Sequence, residues 1–459
     1  MTPCAIIILA AGQGTRMRSA RPKVLHELAG RSLLGHVLIT ARELKPQRLV
    51  VVVGHGAQQV QDAFPDADLL WVTQQPQGGT GHAVMTALPA LEGFTGDVLV
   101  ISGDVPLLES ATLKTLREDH GTRGRSLSVL STRVQPPTGY GRVVRATDGS
   151  VRAIVEERDA DPATRTIDEV NSGTYCIDSR LLGGWLARLS NDNAQKEYYL
   201  TDIVALAVAD GVSVGATCHP DASSLAGINS RSQLAAAERL LRDRLVAFWM
   251  EHGVTFRDPG SVWIDAEVYI GRDCIIEPHV ILGSGVVLGQ GCHVGAFCHL
   301  DDTRVGDGSV IEPFCHLHGA TLEGPNNVGP FARLRPEAHL APKARVGNFC
   351  EVKKAYIGAG TKVNHLSYIG DAHLGAGVNV GAGTITCNYD GVKKHRTEIG
   401  DGVFIGSDTQ LVAPVRVGDH ALIGAGTTVT KDVPAWALAL SREPQVNLSD
   451  WVKRKRGKD

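Results

Sequence analysis

Trp263 to Leu300 reads WIDAEVYIGRDCIIEPHVILGSGVVLGQGCHVGAFCHL. Ile264, Ile270, Ile276, Leu282, Leu288, Val294 and Leu300 stand six residues apart along it. A helix repeats every ~3.6 residues and a strand every two, so neither gives this spacing. A hexapeptide β-helix does, with one inward aliphatic side chain per short flat face. The ladder slips by one at Val305 and resumes through Ile311 and Leu317. It runs again through Val328, Leu334, Leu340, Val346 and Val352, and finally through Ile399, Ile405, Leu411, Val417, Ile423 and Val429. The position four after each rung is small, as at Cys274, Val280, Cys292, Cys298, Ser309, Cys315, Thr321, Ala332, Cys350 and Ser367. A narrow prism at close-packed density admits only small side chains there. Cys274, Cys292, Cys298, Cys315 and Cys350 therefore read as core fillers, not ligands or nucleophiles.

Upstream the period changes. From residue 5 to about 228, aliphatic runs alternate with helix-like stretches; the runs include Ala5–Leu9, Leu49–Val53, Leu69–Val72 and Asp97–Ile101. Continuous β-branched runs between helices predict a largely parallel α/β sheet buried on both faces. Ligands of such sheets bind beyond the carboxyl ends of the strands. Residues 231–252 predict one connecting helix, with Leu234, Ala237, Leu241, Leu245 and Phe248 on its apolar stripe and Gly253 ending it.

The first strand leads into LAAGQGTRMRSARPK, Leu9–Lys23. Met17 replaces the third glycine of a dinucleotide fingerprint, and no G-K-[ST] completes a P-loop. Ala10, Ala11, Gly12 and Gly14 still let backbone N–H groups approach an anion, and Arg16, Arg18, Arg21 and Lys23 follow with positive charge. A tight turn alone explains the glycines but not the cations. Asp104 follows the strand Asp97–Ile101 at its carboxyl edge, where it suits Mg²⁺ held together with substrate phosphates; the plainer reading is a helix cap or turn.

This stretch, with QGGTGHA (Gln77–Ala83) and SGDVPLL (Ser102–Leu108), resembles the sugar-nucleotide pyrophosphorylase family. HLSYIGDAHLGAGVNVGAGTITCNYDG (His365–Gly391) extends the likeness over nearly the whole chain. The two parts together are similar to the bacterial bifunctional N-acetylglucosamine-1-phosphate uridyltransferase and glucosamine-1-phosphate N-acetyltransferase family. The resemblance implies a Rossmann-like α/β nucleotidyltransferase domain (residues 1–229), a helical linker (230–250) and a left-handed parallel β-helix of hexapeptide repeats (251–459).

For uridyl transfer it implies UTP as substrate and Mg²⁺ on Asp104 and Asn229. Arg16 is expected near the leaving pyrophosphate and Lys23 near the transferring phosphate. Leu9, Ala10, Ala11, Gly12, Ser102 and Gly103 complete the expected nucleotide cradle. Gln74, Gly79 and Thr80 match the uracil-recognition positions, and Gly141, Glu156, Asn171 and Asn229 the sugar positions. Gly78 and Lys196 depart from the family's usual residues.

For acetyl transfer from acetyl-coenzyme A, removing a proton from an amine suits a group titrating near neutrality, and histidine is the usual one. The resemblance makes His365 that base. His279, His299 and His316 read as structural. Arg335 and Lys353 match the grip on the sugar phosphate, and Tyr368, Asn379 and Lys394 the remaining sugar contacts. Ala382, Ser407, Ala425 and Arg442 match acetyl-coenzyme A contacts. Asn388 and Tyr389 interrupt the six-residue period, as functional insertions in solenoids do. Lys394 and Arg442 fall on different coils, so a site shared between subunits is expected, and the resemblance implies a homotrimer.

Bulk properties agree. A net charge of −3 over 459 residues argues against general nucleic-acid binding. No apolar run approaches the ~20 residues of a membrane span, and no signal-peptide pattern opens the sequence. Nine cysteines without a C-x-x-C pair fit a reduced cytoplasmic protein without zinc. Lys453–Arg456 reads as a solvated tail. Two rivals remain: a single-activity pyrophosphorylase with a regulatory or oligomerising β-helix, and a scaffold with a degenerate sugar site. His365 with NYDG opposes the first; intact Arg16, Lys23 and Asp104 oppose the second.

Overall fold

The structure is a computed structural model describing residues 2–441 and 443–457. It divides into two compact units, Met1–Leu241 and Arg242–Asp459.

The first unit is built on nine strands: β1 (Cys4–Ala10), β2 (Arg48–Val53), β3 (Leu69–Thr73), β4 (Asp97–Ser102), β5 (Leu127–Arg133), β6 (Arg142–Arg145), β7 (Val151–Val155), β8 (Glu169–Asp178) and β9 (Val214–His219). The sheet order is β9-β5-β8-β4-β1-β2-β3, with β6 pairing to β8 and β7. Alternate residues of β1 enter different cores. Ala5 and Ile7 pack on one face with Val50, Val98 and Val100; Ile6 and Ile8 pack on the other with Val51, Leu99 and Ile101. That two-sided burial is why the runs are apolar without alternation.

The sheet is less parallel than expected. β1, β2, β3 and β4 run parallel, but β8 is antiparallel to both β4 and β5. The cause is local: β6 and β7 form an antiparallel pair, and β8 follows it instead of a crossover helix. The parallel strands still align their carboxyl ends at Ala10, Val53 and Ser102.

In the second unit, two- to seven-residue strands stack in parallel as a β-helix. Val294 pairs with Ile276 before it and Ile311 after it, so one coil spans three hexads, one of them short by a residue where the ladder slips. The rungs and the five cysteines lie in one continuous buried core. One filler differs from expectation. Thr321 is half-buried and Ala320 takes the inward place, because the ladder slips again between Leu317 and Leu322. The filler position is set two residues before the next rung, not four after the last.

The helix Arg231–Glu251 changes core along its length. Leu234, Ala237 and Leu241 pack with Leu28, Leu33, Leu107 and Ile228. Val246 and Trp249 join the β-helix core, with Leu245 partly buried against it. Phe248, expected on the apolar stripe, is 47% exposed with its ring centroid 4.0 Å from that of His252, because the buried face rotates once the core it serves changes.

Candidate functional site

At the carboxyl edge of the first sheet lies a cavity of about 480 Å³. Leu9, Ala10, Ala11, Gly12, Lys23, Gln74, Gly79, Thr80, Ser102 and Asp104 all line it, so ten of the expected nucleotide residues converge. Gly103, also expected in the cradle, is not among the lining residues; its N–H donates to the Leu9 carbonyl at 2.9 Å behind them. Gln13, Gln77 and Glu197 also line the cavity and were not singled out from the sequence. Gln77 donates to the Ala11 carbonyl, fixing the glycine loop from across the cavity.

Two glycines have geometric reasons. Gly79 sits at φ 100°, and a Cβ there would stand 2.7 Å from the Tyr198 carbonyl oxygen. Gly14 sits at φ 62°, and its Cβ would stand 2.6 Å from the Lys23 Cβ. The loop therefore lets the Lys23 stem lie directly against it. The Lys23 ammonium then reaches both expected metal ligands: it donates to the Asp104 carboxylate and, at 2.9 Å, to Asn229 Oδ1. Both charged side chains are largely buried, Lys23 at 10% and Asp104 at 18% exposure. Asp104 caps no helix; the helix Ser110–Thr122 has Glu109 at its cap.

Gln74 is buried, and its amide donates to the Gly79 carbonyl at 3.0 Å. The Thr80 hydroxyl accepts from the Leu200 N–H at 3.1 Å. Arg16 is placed elsewhere than the cavity Lys23 lines. It lines a neighbouring cavity of about 750 Å³ with Glu156, Glu157, Arg158 and Gln195. Glu156 accepts from the Thr201 hydroxyl at 3.2 Å, and burial pushes its carboxyl up from the ordinary range. A Cβ on Gly141 would stand 3.3 Å from Glu156 Oε1, and the Gly141 carbonyl accepts from the Asn171 N–H at 2.9 Å. The Asn171 amide itself is engaged locally, with Tyr175 and Gly173. Of the two departures, Gly78 lies against His82, and Lys196 is exposed beside Asp192 at 3.2 Å.

In the second unit, His365 ends the strand Lys362–His365 and pairs in register with Asn348. Its Nδ1 lies 2.9 Å from Asn348 Oδ1. An amide oxygen only accepts, so Nδ1 carries the proton and Nε2 is left as the basic nitrogen. Asn348 was not read from the sequence. The signal was the repeat itself, since it precedes His365 by one coil. A cavity of about 500 Å³ brings His365 together with Asn379, Ala382, Ser407 and Ala425.

The cationic residues lie around the corner at Leu366, on the adjoining face. Lys394 lines a separate cavity of about 420 Å³ with Lys354, Asp371 and Arg396. The Lys353 ammonium beside it lowers the Lys394 pKa, since a second positive charge close by disfavours its protonated form. Arg335 pairs with Glu351 at 2.8 Å. The buried Asn388 amide donates to Asp371 at 2.5 Å and reaches the Tyr368 hydroxyl at 3.4 Å. Tyr389 bridges back to Lys394 across the turn of the inserted loop and is 60% exposed. Arg442 lies outside the described residues.

Residues 6–196 match the family described as MobA-like NTP transferase domain, and residues 396–431 match bacterial transferase hexapeptide (six repeats). The bifunctional protein GlmU of Trichlorobacter lovleyi is 48% identical over 457 residues, 99% of each chain. The chain belongs to the GlmU family. The GlmU of Alkalilimnicola ehrlichii is 52% identical over 97% of this chain and 96% of its own, and that of Stutzerimonas stutzeri 50% over 98% of each. Alignment across both units sets the chain apart from pyrophosphorylases that share only the first. Among the described residues no helix is long and apolar enough to cross a membrane.

Proposed function

We infer that the chain is a nucleotidyltransferase and N-acetyltransferase that makes UDP-N-acetylglucosamine. It first acetylates glucosamine 1-phosphate with acetyl-coenzyme A, then transfers UMP from UTP to the product. The observation that carries this is the pairing of two chemically different sites, one in each unit, on a chain that aligns end to end with bifunctional relatives.

In the first step the sugar's 2-amino nitrogen attacks the thioester carbonyl, the C–S bond breaks, and coenzyme A leaves as a thiolate that takes up the proton removed from the amine by His365. His365 takes the amine proton on Nε2, with Asn348 holding the ring in that tautomer. Arg335, Lys353, Tyr368, Asn379 and Lys394 hold the sugar phosphate. Ala382, Asn388, Tyr389, Ser407, Ala425 and Arg442 hold acetyl-coenzyme A.

In the second step a phosphate oxygen of the acetylated sugar attacks the α-phosphorus of UTP, and pyrophosphate departs. Such transfers need alignment and charge neutralisation more than a covalent nucleophile. The glycine loop and Lys23 hold the phosphates, Gln74, Gly79 and Thr80 the uracil, and Gly141, Glu156, Asn171 and Asn229 the sugar. Arg16, which shares a cavity with Glu156, steadies the charge on that side. Asp104 and Asn229 offer two hard oxygens converging on one cation, a donor set that fits Mg²⁺. Mg²⁺ held there supplies neutralisation of the phosphate charge. The enzyme works in the cytoplasm as a homotrimer.

His365→Ala should lower acetyl transfer by about 10²–10⁴-fold and leave uridyl transfer unchanged. Asp104→Ala should do the reverse. Each half-reaction is assayed separately, with UTP against other nucleotides, and loss of both in either variant refutes two separate sites.

A further inference from the structure

The two oxygens proposed to hold the divalent cation are already occupied by a cation of the protein's own. Lys23 Nζ donates to the Asp104 carboxylate and lies 2.9 Å from Asn229 Oδ1. Residues 81 and 206 positions away in the chain converge on one ammonium. The arrangement has an electrostatic reason. A largely buried carboxylate left without a partner is costly, and the ammonium removes that cost. The same ammonium stands where a metal ion would have to bind.

We propose that Lys23 and the divalent cation exchange at this clasp. In the nucleotide-free enzyme Lys23 closes it. When the metal enters, the ammonium leaves and turns into the cavity lined by Ala11, Gly12 and Gln13, where the phosphate chain is proposed to lie. This rests on the reading of Asp104 and Asn229 as metal ligands. The stem is placed for such a swing, since it lies against Gly14 with no side chain between.

Charge makes the exchange conditional. Asp104 and Lys23 together are neutral. A dication in the clasp, with Lys23 released beside it, adds two positive charges to a half-enclosed site. A triphosphate neutralises them. Metal and nucleotide should therefore each raise the other's affinity, by linkage, and Lys23 carries part of that coupling. Each pays for displacing it.

The test is direct Mn²⁺ binding to the full-length protein at low ionic strength without nucleotide. Free Mn²⁺ is read by electron paramagnetic resonance. Wild type is compared with Lys23→Met, Asp104→Asn and the double variant, with folding checked by thermal melting. If the lysine holds the clasp nine-tenths of the time, Lys23→Met should bind Mn²⁺ about tenfold more tightly than wild type. Adding UTP should then tighten Mn²⁺ less in Lys23→Met than in wild type. Equal or weaker binding by Lys23→Met, while Asp104→Asn abolishes binding, overturns the exchange and leaves the metal site standing. Binding by Asp104→Asn at wild-type strength overturns the metal site itself, and the exchange with it. Amine-selective labelling of wild type gives a check that needs no variant. Saturating Mg²⁺ should raise modification of Lys23 severalfold, and unchanged modification refutes displacement.

Discussion

Burial pushes the Glu156 carboxyl up from its ordinary range, with the Thr201 hydroxyl opposing at 3.2 Å. A carboxyl whose folded pKa is raised stabilises the fold below its unfolded value, and that contribution is lost as pH rises through the folded one. Ionising the group therefore costs stability, a cost that the proposed role in accepting sugar hydroxyls would explain. Glu156→Gln should melt at or above wild type at about pH 8, and the difference should close by about pH 4, where both side chains are neutral. The KM for the sugar phosphate should rise in the variant across the whole range. Differential scanning calorimetry against pH decides it, and a variant less stable than wild type at the upper pH contradicts the sign. Lys23 and Asp104 were legible from motifs because their chemistry demands charge beside a glycine turn or strand end. Glu156 and Asn229 were legible only through the family resemblance, since nothing in their local sequence brings them to the first motif. Thr201 was not read at all; it reaches Glu156 through the fold, and Arg16 shares a cavity with Glu156 although it stands in the same motif as Lys23.

Among elements, the β-helix coil was the most legible. An inward rung every six residues is a packing constraint, and a packing constraint leaves a sequence period. Leu317 lies between Leu300 and Leu334 in successive coils and is fully buried. Leu317→Ala should cost about 2–5 kcal/mol in denaturant unfolding of the second unit. Cys315→Ala, two residues away in the same core, should cost about 1 kcal/mol and leave acetyl transfer intact. Loss of activity in the cysteine variant would make it more than a filler. The corners were less legible. Phe297, Phe314, Phe331 and Phe349 stack ring on ring at 5.1, 5.0 and 5.2 Å, each at positive φ where glycine is the usual choice. These rings are exposed, so no inward period announces them. Stacking along the solenoid offsets the left-handed strain that each residue carries. The antiparallel β8 was illegible for a similar reason: a strand buried on both faces has the same composition in either direction.

At the scale of the whole molecule, each unit owns its core, and the helix Arg231–Glu251 contributes to both. A fragment beginning at residue 251 loses Val246 and Trp249, which are buried in the core of the β-helix. A fragment beginning at Arg242 keeps them. The sequence pattern gave the helix but not the residue at which its allegiance changes, because both halves carry apolar residues at helical spacing. Residues 242–459 should therefore fold alone, consume acetyl-coenzyme A in the presence of glucosamine 1-phosphate, and transfer no uridyl group. Residues 251–459 should melt lower. The proposed trimer adds a further condition. His365 and the Lys353–Lys394 pair lie on adjoining faces around the Leu366 corner. If a second copy completes the acetyl-coenzyme A site, acetyl transfer should fall on dilution as subunits separate, while uridyl transfer should not. Sedimentation of the full chain should give about three times its 48.8 kDa, and a stable monomer with full acetyltransferase activity would remove the need for a shared site.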